Sequence, residues 1–579
     1  MQLDGTSVAT PVCKIQATPA VSCVNPTPIG CLQYGRLLQF GNVTVGKTKT
    51  LPVTVSNVGS ANCSLSGIKF VGSGTGPICL GGTSCGDFKV VAPGALGTLP
   101  PGQSTQINVA FSPKNTNQVP FGPEVYLDFH SGDSSHNTEC TQGLPPDSAN
   151  GCVQVGMSGQ GDISNLVILP SDLDFGLVTL GCRAQPETIS LYNTGTGSSI
   201  AIKSIALDPT TAPFYITAPP TPFSIAPQGK VQIQATYKPG AAQKDSATLK
   251  FETDASNTTS NNPYVTMALS GTGTTNSHQT DTFTQAARPT VDLLVVMDNS
   301  GSVQDYQSNL SQQGPAFINE ALKANADFHF GVTSTENDQT DTANGDSAYQ
   351  GDKIYVGGLF GHPGIIDGAD TNAASDFAKN VRVGTCCSDN RESGLESAWH
   401  VLTPNANQVA PPQGSLGFLR DEARLVMLAV SDEQDQSHGS TGFYTDFFRQ
   451  VKGKYNAGLV SFNAIIGDPG SGCNNGTVSA DDGSRYADVV TGTGGKWYSI
   501  CSADWAQVAR DMSLDAFRGR VQFPLTRIAD PATIVVTVNG TPQSVGTDYS
   551  FDQPTNSVIF KAAPPPAATI VVDYNAHCF

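Results

Sequence analysis

The chain repeats itself, and the repeat limits what it can fold into. Leu38-Gln39-Phe40-Gly41, Val45-Gly46 and Asn57-Val58-Gly59 return, at near-constant spacing, as Leu173-Asp174-Phe175-Gly176, Leu180-Gly181 and Asn193-Thr194-Gly195. Pro101-Gly102 and Phe111-Ser112-Pro113 are echoed by Gln228-Gly229 and Tyr237-Lys238-Pro239, and each copy closes on Ser-Gly-x-Gly, at Ser158 and at Ser270. A pattern that occurs twice marks a structural unit used twice. Between the markers, stretches such as Gln106–Phe111 and Val231–Tyr237 alternate apolar and polar residues and are bounded by Gly, Pro and Asn. Period-two alternation with such punctuation predicts β-sandwiches. The expected organisation is an extended Cys-containing arm at 1–31, sandwiches at 32–161 and 162–274, and a polar linker at 275–287.

The pattern changes after the linker. Val291 to Met297 is a near-continuous apolar run, which suits a strand buried on both faces. Helical stretches at about 304–324, 372–382, 392–402, 441–453 and 503–519 then alternate with apolar strands at Phe328–Val332, Leu425–Val430, Val460–Ile466 and Trp497–Ile500. This alternation predicts a doubly wound α/β domain over 288–520. From Phe523 the pattern reverts to β, with the turn Asn539-Gly540, and predicts a small all-β module at 521–579. The fold class expected is therefore multidomain: two β-sandwich (Ig-like) domains, one α/β domain and one C-terminal β-module.

Composition narrows the function. Lys+Arg number 31 against 49 Asp+Glu, a net charge of −18. Such a surface repels phosphate backbones, so no nucleic-acid partner is expected, while acidic loops suit hard cations. The 14 Cys are few in CxxC pairs and His numbers only 8, which favours disulfides over zinc. No run of 18 apolar residues predicts a membrane span. Met1-Gln2-Leu3-Asp4 lacks the character of a signal peptide, so export implies a leader, and any lipid anchor, already removed. No nucleophile elbow, P-loop or dinucleotide fingerprint is present, and no enzyme is expected.

The chemistry-bearing motif is Asp298-Asn299-Ser300-Gly301-Ser302, at the end of the first apolar strand. Ligands of open α/β sheets bind beyond the carboxyl ends of the strands. A carboxylate and two hydroxyls on one loop there offer three hard oxygens, a set suited to Mg²⁺, with Mn²⁺ or Ca²⁺ substituting. The motif and its setting resemble the von Willebrand factor A domain with its metal-ion-dependent adhesion site, over about 288–519. The family pattern Asp-x-Ser-x-Ser is matched by Asp298, Ser300 and Ser302. The resemblance implies a further Asp after the fourth strand, for which Asp432 is the candidate, with Glu433 and Asp435 available to a second cation or to bound waters. It also implies a Thr from another loop. Thr385 follows a Gly as the family Thr often does, but the loop is long, and Ser388, Asp389 or Ser393 are alternatives. The function implied is adhesion, in which a partner protein's or surface ligand's Asp or Glu carboxylate takes an open position on the ion.

The repeated segments resemble Ig-like domains of the ASH, or choice-of-anchor D, type, which implies spacer and display work. Ser499-Ile500-Cys501 with Asp504-Trp505, the pattern Ser431-Asp432-Glu433-x-Asp435-x-Ser437 and the ending Val572-Asp573-Tyr574-Asn575-Ala576-His577-Cys578 resemble surface adhesins of gliding, predatory Gram-negative bacteria. That likeness implies export to the cell surface or outer membrane. The alternative is a structural subunit of a surface filament that docks its neighbour through the metal face. The Asp/Asn-rich stretch 335–353 reads as a solvated loop rimming the same face. Cys473 and Cys501 flank one helix and strand and are expected to pair. If adjacent Cys386 and Cys387 pair, parity leaves Cys578 for Cys182.

Overall fold

Each copy of the repeat forms two sheets face to face. The structure, a computed structural model, describes residues 10–18, 36–72, 84–92, 97–114, 125–131, 133, 135–137, 151–336, 341–342, 349–385, 392–476, 478–501 and 504–579. The chain divides into two compact units, 1–164 with 195–199, and 165–194 with 200–579.

In the first sandwich one sheet orders Ile15–Thr18, Lys49–Asn57, Ser104–Phe111, Phe88–Ala92 and Ser84–Cys85, and the other Leu37–Thr44, Cys152–Asp162, Val125–His130 and Gly67–Gly72. Part of the expected arm is thus a sheet strand: Ile15–Thr18 pairs antiparallel with Thr54–Asn57, and Cys13 is joined to Cys63. Its alternating Ile15 and Ala17 fill the core, which is why it cannot stand free. In the second sandwich Leu166–Leu169, Glu187–Asn193, Lys230–Tyr237 and Phe214–Thr217 face Asp172–Thr179, Tyr264–Thr274, Lys244–Thr253, Ile200–Asp208 and Phe223–Ile225.

The repeated motifs have a physical reason. In both copies the Leu-x-Phe-Gly strand runs parallel to the last strand, with a register shift. Gly41 and Gly176 hold φ of 63° and 62°, backbone that disfavours other residues. A Cβ on Gly159 would lie 2.7 Å from the Phe111 ring, and one on Gly271 would lie 2.6 Å from the Tyr237 ring. The Ser-Gly-x-Gly ending is therefore the seat for the aromatic of the Phe/Tyr-x-Pro motif.

Residues 290–499 carry a six-stranded sheet. Its strands are β1 (Thr290–Met297), β2 (Asp327–Ser334), β3 (Ile365–Asp367), β4 (Arg424–Val430), β5 (Val460–Ile466) and β6 (Trp497–Ser499). They lie in the order β3-β2-β1-β4-β5-β6, all parallel except β3. Helices cover both faces. α1 (Gln304–Gln313), α2 (Pro315–Lys323), α3 (Ala373–Asn380) and α7 (Trp505–Ala516) share one core with Leu293, Phe330 and Val426. α4 (Gly394–Val401), α5 (Thr441–Gln450) and α6 (Ser484–Thr493) share the other with Leu294, Met427 and Phe462. The single helix expected over 304–324 is two. Pro315 starts the second, and Gly314 lies where a Cβ would meet the Phe377 ring at 2.4 Å.

The stretch 275–287, expected as a linker, is corrected by the structure. His278–Thr284 pairs antiparallel along its whole length with Thr569–Asn575 of the C-terminal module. Its polar residues alternate, and the inward ones are served: buried Asp281 accepts from Thr526 N (2.8 Å), Thr526 Oγ1 (2.6 Å) and Tyr574 OH (2.8 Å). Gln279 Nε2 donates to it as well (2.9 Å), and a strand can be polar when its buried carboxylate has four donors. The module adds Val535–Val538 and Thr541–Pro542 to this sheet, and a second sheet of Gln522–Pro524, Ser557–Phe560 and Tyr549–Asp552.

The second sandwich is docked on both neighbours. The Tyr192 ring meets Phe443 of α5 edge-on at 5.3 Å, and its hydroxyl donates to Asp446. Arg527 of the module donates to Leu177 O (3.0 Å), Thr179 Oγ1 (2.8 Å) and Asn276 O (2.8 Å).

Candidate metal centre

The chain crosses from one side of the sheet to the other at β1 and β4, and the candidate site lies at their carboxyl ends, where ligands of open sheets bind. Asp298 N–H donates to Val430 O (3.0 Å), which locks the loop after β1 to the end of β4. Asp298 is fully buried; Oδ1 accepts from Ser300 N (2.7 Å) and Oδ2 from the Ser431 hydroxyl (2.5 Å). The Ser300 and Ser302 hydroxyls are 3.1 Å apart, and Ser302 Oγ donates to Asp432 Oδ1 at 3.2 Å. The structure thus brings together Asp298, Ser300, Ser302 and Asp432. The carboxylates form the floor, while Ser300 is half-buried and Ser302 exposed, so the site opens to solvent on the hydroxyl side.

Thr385 is held nearby through its neighbour. The buried Gln307 amide donates to both Asp298 O and Gly384 O (2.9 Å each), and its oxygen accepts from Gly384 N (3.1 Å). Gln307 therefore clips the loop of Thr385 to the loop of Asp298. Asp389, Ser388, Cys386 and Cys387 lie outside the described residues, as do parts of the 335–353 stretch. Ser393 is buried at the start of α4.

Asp435 requires a correction. It was a candidate for a second cation or bound water, but its oxygens are occupied by the chain. Oδ2 accepts from Arg485 Nε (2.9 Å), and Oδ1 accepts from Ser437 Oγ (2.7 Å) and Leu395 N (3.1 Å). The half-buried guanidinium of Arg485 neutralises this buried carboxylate, which serves to hold α4 and α6 behind the site.

The carboxylates in front of it have no such partner. Burial, reinforced by the charge of Asp432, pushes Asp298 up to about 7 against the pull of the Ser431 and Ser300 hydrogen bonds. Burial and the charge of Asp481 raise Asp432, and burial with the charges of Asp432 and Asp481 raises Glu433. Glu392 is raised well above the usual range by burial and by the charge of Asp298. Glu396 shows the contrast: burial would raise it, but His438, 2.9 Å away, and His400 hold it down at about 2. Carboxylates raised in this way are stabilised by a cation from outside the chain. The all-oxygen donor set fits Mg²⁺ or Ca²⁺ and lacks the nitrogen and sulfur that zinc sites favour.

Sequence reading missed Gln307, Ser431, Glu392 and Arg485. Ser431 alone left a local signal, as the first residue of the Ser431-to-Ser437 pattern; the others act across the fold. The expected bridges Cys473–Cys501 and Cys182–Cys578 are present, with Cα atoms 6.2 and 5.1 Å apart. The buried trio Asp128, His130 and Cys152 of the first sandwich is no metal site, because Cys152 is disulfide-bonded.

Residues 30–135 match the family of HYDIN/CFA65/VesB-like Ig-like domains. Among solved structures the chain is similar to the ASH/PapD-like domain of human CEP192, at 14% identity over 28% of this chain and 94% of that one, with a TM-score of 0.15. It is similar to the CupB6 tip adhesin from Pseudomonas aeruginosa, at 11% identity over 40% of this chain and 93% of that one, with a TM-score of 0.16. It is also similar to proximal thread matrix protein 1 of the mussel byssus, at 15% identity over 42% of this chain and 49% of that one, with a TM-score of 0.23. No curated protein matches. No described helix is long and apolar enough to cross a membrane.

Proposed function

We propose that the chain is an adhesin whose α/β domain is of the von Willebrand factor A type. It holds Mg²⁺, or Mn²⁺ or Ca²⁺ in its place, with Asp298, Ser300, Ser302 and Asp432, and Thr385 brought beside them. The ion supplies an exchangeable position for a carboxylate of a partner protein or surface ligand. The protein's own part is to fix the oxygens. Ser431 and the Ser300 amide orient Asp298, and Asp432 orients Ser302. One observation carries the reading: four oxygen-bearing side chains converge at the sheet's switch point around a buried carboxylate whose charged neighbour is another carboxylate. The disulfides fit an exported protein, and the acidic surface disfavours nucleic acid. The sandwiches then serve as spacers at a bacterial cell surface, in gliding or predation.

Calorimetric titration of the full chain with Mg²⁺ tests the metal. Wild type should bind, and Asp298→Ala should not; equal heats from both would remove the proposal. Capture on a surface of immobilised aspartate-bearing peptide, with and without EDTA, tests the carboxylate step. Retention that ignores EDTA overturns it, and Mg²⁺-dependent polymerisation of the chain alone would favour a filament subunit.

A further inference from the structure

α4 starts behind the candidate metal centre and, with eight residues, runs about 12 Å along its axis. Its far end, at Trp399, opens onto a cavity of about 1190 Å³ set between the second sandwich, the α/β domain and the C-terminal module, all within the second compact unit. Sites for drug-sized ligands fill roughly 300–1,000 Å³ and favour domain junctions, so this one has room for an extended guest.

The cavity is lined by fixed rings and idle amides. Trp399, Phe447 and Tyr455 are half-buried in its wall. Trp399 is braced edge-on by Phe443 at 5.5 Å and by Phe447 at 6.4 Å, so its ring is oriented before any guest arrives. Asn407 Oδ1 accepts from Ser415 Oγ (3.3 Å). Its Nδ2, the side-chain amides of Gln185, Gln408 and Gln450, and the Trp399 indole N–H have no partner among the described residues.

The charges of the lining cancel. Asp172, Asp174 and Glu187 are matched by Arg183, Lys454 and Arg527. The cations are also engaged: Lys454 by Glu187 and the Tyr455 hydroxyl (2.9 Å), Arg183 by the Tyr215 ring at 5.2 Å, and Arg527 by Leu177 O and Thr179 Oγ1. A phosphate or carboxylate finds nothing here to neutralise it. An acyl chain would strip water from the amides and return no hydrogen bond. A neutral sugar meets both conditions. Its hydroxyls donate and accept, as amides do, and its C–H faces lie well on aromatic rings, whose faces are negative.

We propose that this cavity binds a neutral oligosaccharide, stacked on Trp399 and Tyr455 and hydrogen-bonded by Asn407, Gln408 and Gln450. The site needs no metal, so it stands or falls separately from the metal centre.

Isothermal titration of the full chain with maltohexaose, cellohexaose and chitohexaose tests it. At least one should bind with a saturable heat, equally in Mg²⁺ and in EDTA, and equally in Asp298→Ala. Trp399→Ala should weaken that binding about tenfold. Trp399 also packs on Phe443, so Gln408→Ala and Gln450→Ala, which remove only amides, serve beside it: each should weaken binding about threefold at an unchanged melting temperature. No heat with any of the three sugars, unchanged affinity in all three variants, or saturable binding of lauric acid with no sugar bound overturns the proposal. Sugar binding that vanishes in EDTA or in Asp298→Ala overturns it too, and assigns the sugar to the metal centre.

Discussion

Asp298 is the residue on which the proposed metal site turns, and its titration has a definite sign. Its carboxyl is about 7 in the folded, cation-free protein, against an unfolded value near 3.8. Between those values the folded state holds a proton that the unfolded state has released. Cation-free stability therefore falls as pH rises from about 4 to 7, the reverse of a salt-bridged carboxylate. A metal must displace that proton, so Mg²⁺ affinity should weaken roughly tenfold per pH unit below about 7. Thermal melts at pH 5 and 8, with and without Mg²⁺, check both: the metal should raise the melting temperature much more at pH 8. An equal rise at both would contradict the burial of Asp298. Behind it, Arg485→Ala leaves Asp435 buried and unpaired, and should cost about 3–5 kcal/mol. Chemical denaturation of the α/β domain measures this, and a loss below about 1 kcal/mol would mean that water reaches Asp435.

At the scale of elements, what the sequence revealed depended on how far apart the determinants lie. β1, β2, β4 and β5 were legible because a strand covered on both faces must be apolar throughout, as Leu425–Val430 is. The repeat was legible because its motifs are local, and Gly271 shows how strict they are. Gly271→Ala would drive a methyl into the Tyr237 ring and should destabilise the second sandwich by about 1–3 kcal/mol, read from its denaturant midpoint. An unchanged midpoint would mean that Tyr237 can move aside. Polar and short elements were not legible. His278–Thr284 looked like a linker because its buried Asp281 finds all but one of its donors more than 240 residues away in sequence, at Thr526 and Tyr574. β3 has only three residues, and α6 was expected only as the unbounded helix between Cys473 and Cys501. At the site, Asp298, Ser300 and Ser302 share one loop and were visible at once. Glu392, Gln307 and Arg485 come from separate elements, and only the fold shows that they meet.

Across the whole molecule, the covalent link between Cys182 and Cys578 spans 396 residues. Closing so long a loop restricts the unfolded chain, an effect on the order of 5 kcal/mol. Cys578→Ser should lower the calorimetric transition of the C-terminal module, and a transition at the same temperature would show that Arg527 and its backbone partners suffice to hold it. The α/β domain also leaves and rejoins the chain at one place. His278–Thr284 before it and Thr569–Asn575 beyond it are neighbouring strands, and Gln285 Nε2 donates to Arg520 O (3.2 Å) across the gap between its entry and its exit. Tension entering through the second sandwich and leaving at the C-terminus would then run through one short sheet and one sulfur bridge, as current takes a shunt. The α/β domain hangs from that path like a side loop, and its own strands need not stretch when the two ends are pulled apart.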